Sequence, residues 1–222
     1  GGPAGFGVAS ANDVPMAAKG HLLGQAFLGV QMQCARCHDA PAHEIAQEDL
    51  FSIAAMLKRA PEDVPLTSSI DLPPEELEEM AVQVTLKPGS KVAPKWPFPE
   101  LSSSELDSRV LRRKGDSREE LAALITVPTN RRFAEVAVNR LWKRYLGVGL
   151  VNSVDDWELA DHRNPELLEW LSSEFIASGY DVKHIARLIL NSKIYQSTPA
   201  TLDARKEETF IGPMQRKLAA EQ

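Results

Sequence analysis

The sequence predicts a mainly α-helical chain: a helical segment bearing the two cysteines over residues 1–60, a Pro-rich connecting region over 61–115, a compact multi-helix unit over 116–197, and the start of a further, truncated segment over 198–222. Three observations predict it. Apolar residues recur at three- and four-residue spacing through most of the chain outside its centre. Capping residues and glycines bracket several of these stretches. Eight of the fifteen prolines fall between Pro61 and Pro99, which separates two helical parts by a region unsuited to long helices.

The first element is "MAAKGHLLGQAFLGVQMQCARCH", residues 16–38, where Leu22, Leu23, Ala26, Phe27 and Val30 share a face and the helix is expected to run to the cysteine motif, with Gly20, Gly24 and Gly29 as blemishes. "QEDLFSIAAMLKRA" has acids in its first turn and bases in its last, with Leu50, Ile53, Ala54 and Leu57 inward, a pattern that suits both the helix dipole and a core. The Pro-rich region offers a short helix "PPEELEEMA" and a strand "VQVTL", and otherwise reads as a linker-like excursion. "DSREELAALIT" starts from an Asp116 or Ser117 cap with acids three residues on. In "NRRFAEVAVNRLWKRYLG" the stripe is Phe133, Val136, Ala137, Leu141 and Tyr145, with Trp142 beside it and Gly147 to end it. Asn139 and Arg140 interrupt that stripe and read as a polar pair locking the helix to a loop. "NPELLEWLSSEFIASG" is capped by Asn164, has Pro165 at its first position and Gly179 past its end. "DVKHIARLILNSKIY" is capped by Asp181, with Val182, Ile185, Ala186 and Ile189 inward and His184 on the surface.

Bulk chemistry narrows the function. A net charge of −6 with Lys and Arg scattered among acids disfavours a nucleic-acid domain, and the one basic cluster, "RVLRRKGD" from Arg109 to Asp116, reads as a solvated linker. No apolar run approaches the roughly 20 residues that span a bilayer. A Gly-rich start without Met, and an end that stops inside a helical pattern, read as cuts in a longer parent, so the want of an export signal does not weigh against export.

Cys34-Ala35-Arg36-Cys37-His38 holds both cysteines of the chain, with a histidine directly after the second. A thioredoxin-like dithiol needs a βαβ context that the sequence lacks, and a structural zinc site needs a second ligand pair, for which only His43, Asp39 and Glu44 stand nearby. Covalent c-type haem attachment uses every residue: two thiols one turn apart reach the two vinyl groups of one porphyrin, and the adjacent imidazole is carried under the iron. Cys34 and Cys37 are therefore the expected thioether residues and His38 the axial iron ligand of a haem c. Met80 is the expected second axial ligand, ahead of His21 and His162, with His43 too near His38 to pass around the porphyrin edge. The reading that follows is a one-haem, single-electron-transfer module rather than an enzyme, working with a redox partner protein or further haem domains. A non-haem scaffold or interaction domain with a Cys34/Cys37 thiol pair or disulfide is the alternative. A weaker one is a hydrolytic domain using Asp155, Asp156, Asp161 and His162, although these read more readily as a polar loop. Trp96, Trp142, Trp157 and Trp170 read as plain core.

"FLGVQMQCARCHDAP" followed by "QEDLFSIAAML" resembles the planctomycete-type cytochrome-like domain, and "NRRFAEVAVNRLWKRYLGVGLV" with "VDDWELADHRNPELLEWLSSEFIASGYDVKHIARLILNSKIYQ" resembles the domain of unknown function that follows it in the same large proteins. The resemblance implies an exported parent protein, periplasmic or at the cell surface, and no established activity. The family commonly continues Cys-His-Asp-His. Here that second His position is Ala40 and a histidine returns only at His43, so a metal role for it in relatives would be lost or displaced.

Overall fold

The computed structural model describes residues 16–39, 44–66, 73–79, 83–102, 106, 110–158, 160–199 and 213. Among them are seven α-helices and two antiparallel two-stranded sheets, so the chain is mainly helical as the periodicity requires. Packing separates two units, residues 1–130 and 131–222.

In the first unit, helix α1 (Met16–Leu28) lies along helix α2 (Gln47–Lys58). The sequence put the large apolar residues of α1 inward. Instead Ala17, Gly20, Gly24 and Leu28 are buried, and Leu22 and Phe27 are exposed. The glycines are the contact face: a Cβ on Gly20 would stand 3.3 Å from Ile53 Cγ2, and one on Gly24 would meet the methyl end of Met32. Small residues set how closely two helices approach, which periodicity of large side chains does not report. The helix also stops ten residues short of His38, because Gly29 takes a left-handed φ of 64°.

Helix α2 is the centre of this unit. Seven consecutive residues, Leu50 to Met56, are buried, wider than the one-faced stripe expected. It ends at Arg59, itself left-handed at φ 66°, whose amide bonds back to Ala55 and Met56. Strands β1 (Glu62–Asp63) and β2 (Lys91–Val92) pair antiparallel, and helix α3 (Pro74–Glu79) stands in the Pro-rich region where a short helix was expected. No strand forms over residues 83–86, the described part of "VQVTL", because the Gln47 side chain takes the amides of Thr85 and Leu86 and the Asp39 amide takes the Gln83 carbonyl. The Pro-rich region is more than a linker: Val64, Val92, Trp96, Phe98 and Ser102 are buried, with Trp96 Nε1 donating to the Ser102 carbonyl at 3.2 Å.

Helix α4 (Ser117–Thr126) closes the first unit. The sequence grouped it with the later helices, from residue 116. Its first turn instead bonds to the end of α2: Ser117 Oγ donates to Met56 O at 3.0 Å, Arg118 donates to Leu57 O through Nε and Nη2, and Arg59 Nε donates to Asp116 Oδ1 at 2.8 Å.

The second unit packs helices α5 (Arg131–Leu146), α6 (Pro165–Ala177) and α7 (Val182–Leu190) around a core of Val136, Trp142, Leu146, Leu168, Leu171, Phe175, Ile185 and Ile189, among others. A small hairpin, β3 (Val151–Asn152) with β4 (Asp161–His162), links the first two. The punctuation follows the sequence closely. Asn164 Oδ1 accepts from Leu167 N at 3.1 Å, and Asp181 caps α7 through Lys183 N. Gly179, at φ 68°, closes α6 in a Schellman arrangement, Tyr180 N bonding Phe175 O and Gly179 N bonding Ile176 O, with the Phe175 and Tyr180 rings in contact. Two inward assignments fail: Val182 and Trp170 are about half exposed. Val182 is the first residue of its helix, and Trp170, the residue before the buried Leu171, stands about 100° around α6 from it.

The caps carry a pH dependence. The Arg59 hydrogen bond, helped by the amides of α4, holds the Asp116 carboxyl below its ordinary value, and the amides of His184 and Lys183 do the same for Asp181. A depressed carboxylate contributes stability that is complete above the unfolded-state value of 3.8 and is lost as pH falls through the lower folded-state value. Asp116→Asn and Asp181→Asn keep an oxygen to accept from the amides but cannot titrate. Their unfolding midpoints should therefore fall less steeply than wild type as pH is lowered below that of an ordinary aspartate. Equal slopes would show that the caps do not contribute.

Candidate functional site

Cys34–Arg36 form a single 3-10 turn. Cys37 N and His38 N both donate to Cys34 O, at 3.0 and 3.2 Å, so the two cysteines and the histidine are held on one coil of backbone. Cys34 is exposed, Cys37 half-buried, and neither is in a disulfide.

The His38 ring is oriented by its neighbour. Nδ1 lies 2.7 Å from the Asp39 carbonyl oxygen, which can only accept, so Nδ1 carries the proton and Nε2 keeps its lone pair. Asp39 is in turn fixed: its amide donates to Gln83 O at 2.8 Å, and its Oδ1 accepts from Gln47 N at 2.7 Å and Thr85 Oγ1 at 2.9 Å. Gln47, fully buried, completes the knot, its Oε1 accepting from Thr85 N and Leu86 N at 3.0 Å each. Sequence reasoning missed this knot. Its members are ordinary polar residues up to 46 positions apart, with no local signal.

His21 is set the opposite way. Met32 N donates to His21 Nδ1 at 3.2 Å, which leaves the ring proton on Nε2. Burial, and then the nearby charge of Arg36, push its pKa down, so the neutral ring is favoured. Arg36 itself is half-buried, and its Nε is sealed from solvent with no hydrogen-bond partner among the described residues. Met80, His43 and Ala40 lie outside the described residues.

In the second unit the residues of the acidic loop meet separate partners. Asp155 accepts from Arg140 Nη2 at 2.6 Å, Asp161 is 3.6 Å from Arg163 Nε, and the exposed His162 sets its ring edge-on to Trp157 at 5.7 Å. Arg132 lies over the Trp157 ring, 5.0 Å from its centre. Asn139 locks helix to hairpin, its side chain bonding both the N–H and the carbonyl of Val151, and Arg140 ties the same helix to Asp155. His184 pairs with Glu174 across α6 and α7 at 3.1 Å. Among the described residues, no three His, Cys, Asp or Glu side chains form a group that could hold a metal ion. No helix among them is long and apolar enough to cross a membrane.

Residues 11–62 match the family model PSCyt2, a protein of unknown function (DUF1549), and residues 117–222 match PSD1, a protein of unknown function (DUF1553). No curated protein and no solved structure matches the chain. The first match holds the cysteine turn and α2; the second begins with α4, although α4 packs in the first unit. The chain is thus similar, in order, to two planctomycete-type domains of unknown function.

Proposed function

We propose that Cys34–His38 is a c-type haem attachment site and that the chain is a single-electron-transfer module of an exported protein. The orientation of His38 carries the reading. A proximal imidazole needs a fixed ring with Nε2 available, and the bond from Nδ1–H to a backbone carbonyl is the usual means of supplying both. Two unbridged cysteines, one exposed and one half-buried on the same turn, fit thioether formation, and the exposed Leu22 and Phe27 on the preceding helix are apolar surface of the kind a macrocycle covers.

Cys34 and Cys37 would hold the group and His38 would ligate its iron, which supplies a one-electron couple when bound. Asp39 serves as the orienting residue, fixed to the chain after residue 83 and to α2. Met80 is the proposed second ligand. It stands three residues before Gln83, whose carbonyl bonds to Asp39, while His21 would have to shed its Nε2 proton and surrender Met32 N to reach iron. A redox partner protein or further haem domains would exchange the electron, and the setting would be periplasmic or at the cell surface.

The test is an intact mass under denaturing conditions, with a pyridine haemochrome spectrum, of the full chain made in a host competent for covalent haem attachment. One haem added, lost in Cys34→Ser/Cys37→Ser, is expected. A peptide spanning residues 34–38 that is unmodified, or lighter by the two hydrogens of a disulfide, would reject haem and favour the scaffold reading.

A further inference from the structure

Arg36 sits between the two cysteines, within the single turn that they bracket. Guanidinium is charged at any accessible pH and presents five N–H donors with no acceptor of its own. Burying one of those donors without a partner is unfavourable, because water is stripped from it and nothing replaces the lost bond. Yet among the described residues Arg36 Nε is sealed off in that state. His21, close enough to feel its charge, is favoured as a neutral ring and already accepts from Met32 N, so its Nδ1 offers Arg36 no acceptor. A cation with a donor left unsatisfied beside two thiols and a pre-oriented imidazole is understandable if its acceptor comes with the ligand. An anionic, planar acceptor suits the fork geometry best, and a carboxylate is the commonest such group.

We infer that Arg36 is a carboxylate-binding residue that takes up a propionate of the haem held by Cys34, Cys37 and His38. The inference rests on the haem reading. It adds a role for a residue that the attachment chemistry itself leaves open. Two consequences separate it from a merely structural role. In the haem-loaded chain, removing the cation leaves the carboxylate charge uncompensated near the iron, which favours the ferric state and lowers the midpoint potential. In the haem-free chain, removing it only relieves an unpaired buried donor.

The experiment compares Arg36→Met in two backgrounds of the full chain, haem-loaded and haem-free through Cys34→Ser/Cys37→Ser, with Arg36→Lys as the charge-retaining control. Expected are a potential below that of loaded wild type and a lowered unfolding midpoint for loaded Arg36→Met, with Arg36→Lys between the two. In the haem-free background the unfolding midpoint should be unchanged or raised. A loaded Arg36→Met with wild-type potential, or a haem-free variant destabilised as much as the loaded one, overturns the inference alone. A wild-type chain that takes up no haem overturns the haem reading and this inference with it.

Discussion

Asn139→Leu should destabilise the second unit by about 3 kcal/mol or more, although it replaces a buried side chain by one of similar size. Asn139 is fully buried, with Nδ2 donating to Val151 O at 3.0 Å and Oδ1 accepting from Val151 N at 3.1 Å. Losing the amide strands two backbone groups at a position with no access to water, and each such group costs about 1–3 kcal/mol. Gly149 makes room for this arrangement: a Cβ there would run into Val151 O and stand 2.9 Å from Asn139 Oδ1. Gly149→Ala should therefore attack the same pair, and the double variant should lose less than the sum of the two singles. Urea unfolding followed by tryptophan fluorescence reads this directly, because Trp142, Trp157 and Trp170 all lie in that unit. Wild-type stability in Asn139→Leu would mean that packing, not the hydrogen bonds, holds the hairpin to α5.

Asn139 was legible in the sequence because a polar residue in an apolar stripe demands a partner, and a loop followed close behind. The caps at Asp116, Asn164 and Asp181 and the closure at Gly179 were legible for a similar reason: each is a local bond between residues two to five positions apart. What failed was long-range or depended on absence. The buried face of α1 is made of side chains too small to register in a hydrophobic pattern, so Gly20 and Gly24 looked like defects where they are the contact. Helix α4 has a self-sufficient pattern that points equally to either neighbour. Only Ser117, Arg118 and Asp116, bonding residues 57 to 61 positions away, decide that it closes the first unit. At the candidate site the three residues of the attachment chemistry could be read from spacing. The tautomer of His38 and the sealed Nε of Arg36 could not, since both depend on where a carbonyl or its absence falls in space.

Gln47→Leu should loosen the cysteine segment from the chain that packs on it, at a cost of about 2–4 kcal/mol for two stranded amides partly open to compensation by water. Gln47 Oε1 accepts from both Thr85 N and Leu86 N, and the leucine offers neither an acceptor. Asp39 shares the load through Thr85 Oγ1 and Gln47 N, so the two residues act as one unit. Asp39→Ala on top of Gln47→Leu should add less than it does alone. Asp39→Asn, which keeps Oδ1 as an acceptor, should be milder than Asp39→Ala. Gln47→Glu separates geometry from charge. It retains both acceptor positions but buries a carboxylate, so it should hold the two amides at neutral pH while lowering overall stability. Amide hydrogen exchange at Thr85 and Leu86 is the direct measurement: protection should fall sharply in Gln47→Leu and persist in Gln47→Glu. Because the Asp39 backbone also receives the His38 ring, the same loss should speed alkylation of Cys37, the half-buried thiol, more than that of Cys34, which is already exposed. Unchanged exchange at residues 85 and 86 in Gln47→Leu would show that the knot is not what fastens this segment to the cysteine turn.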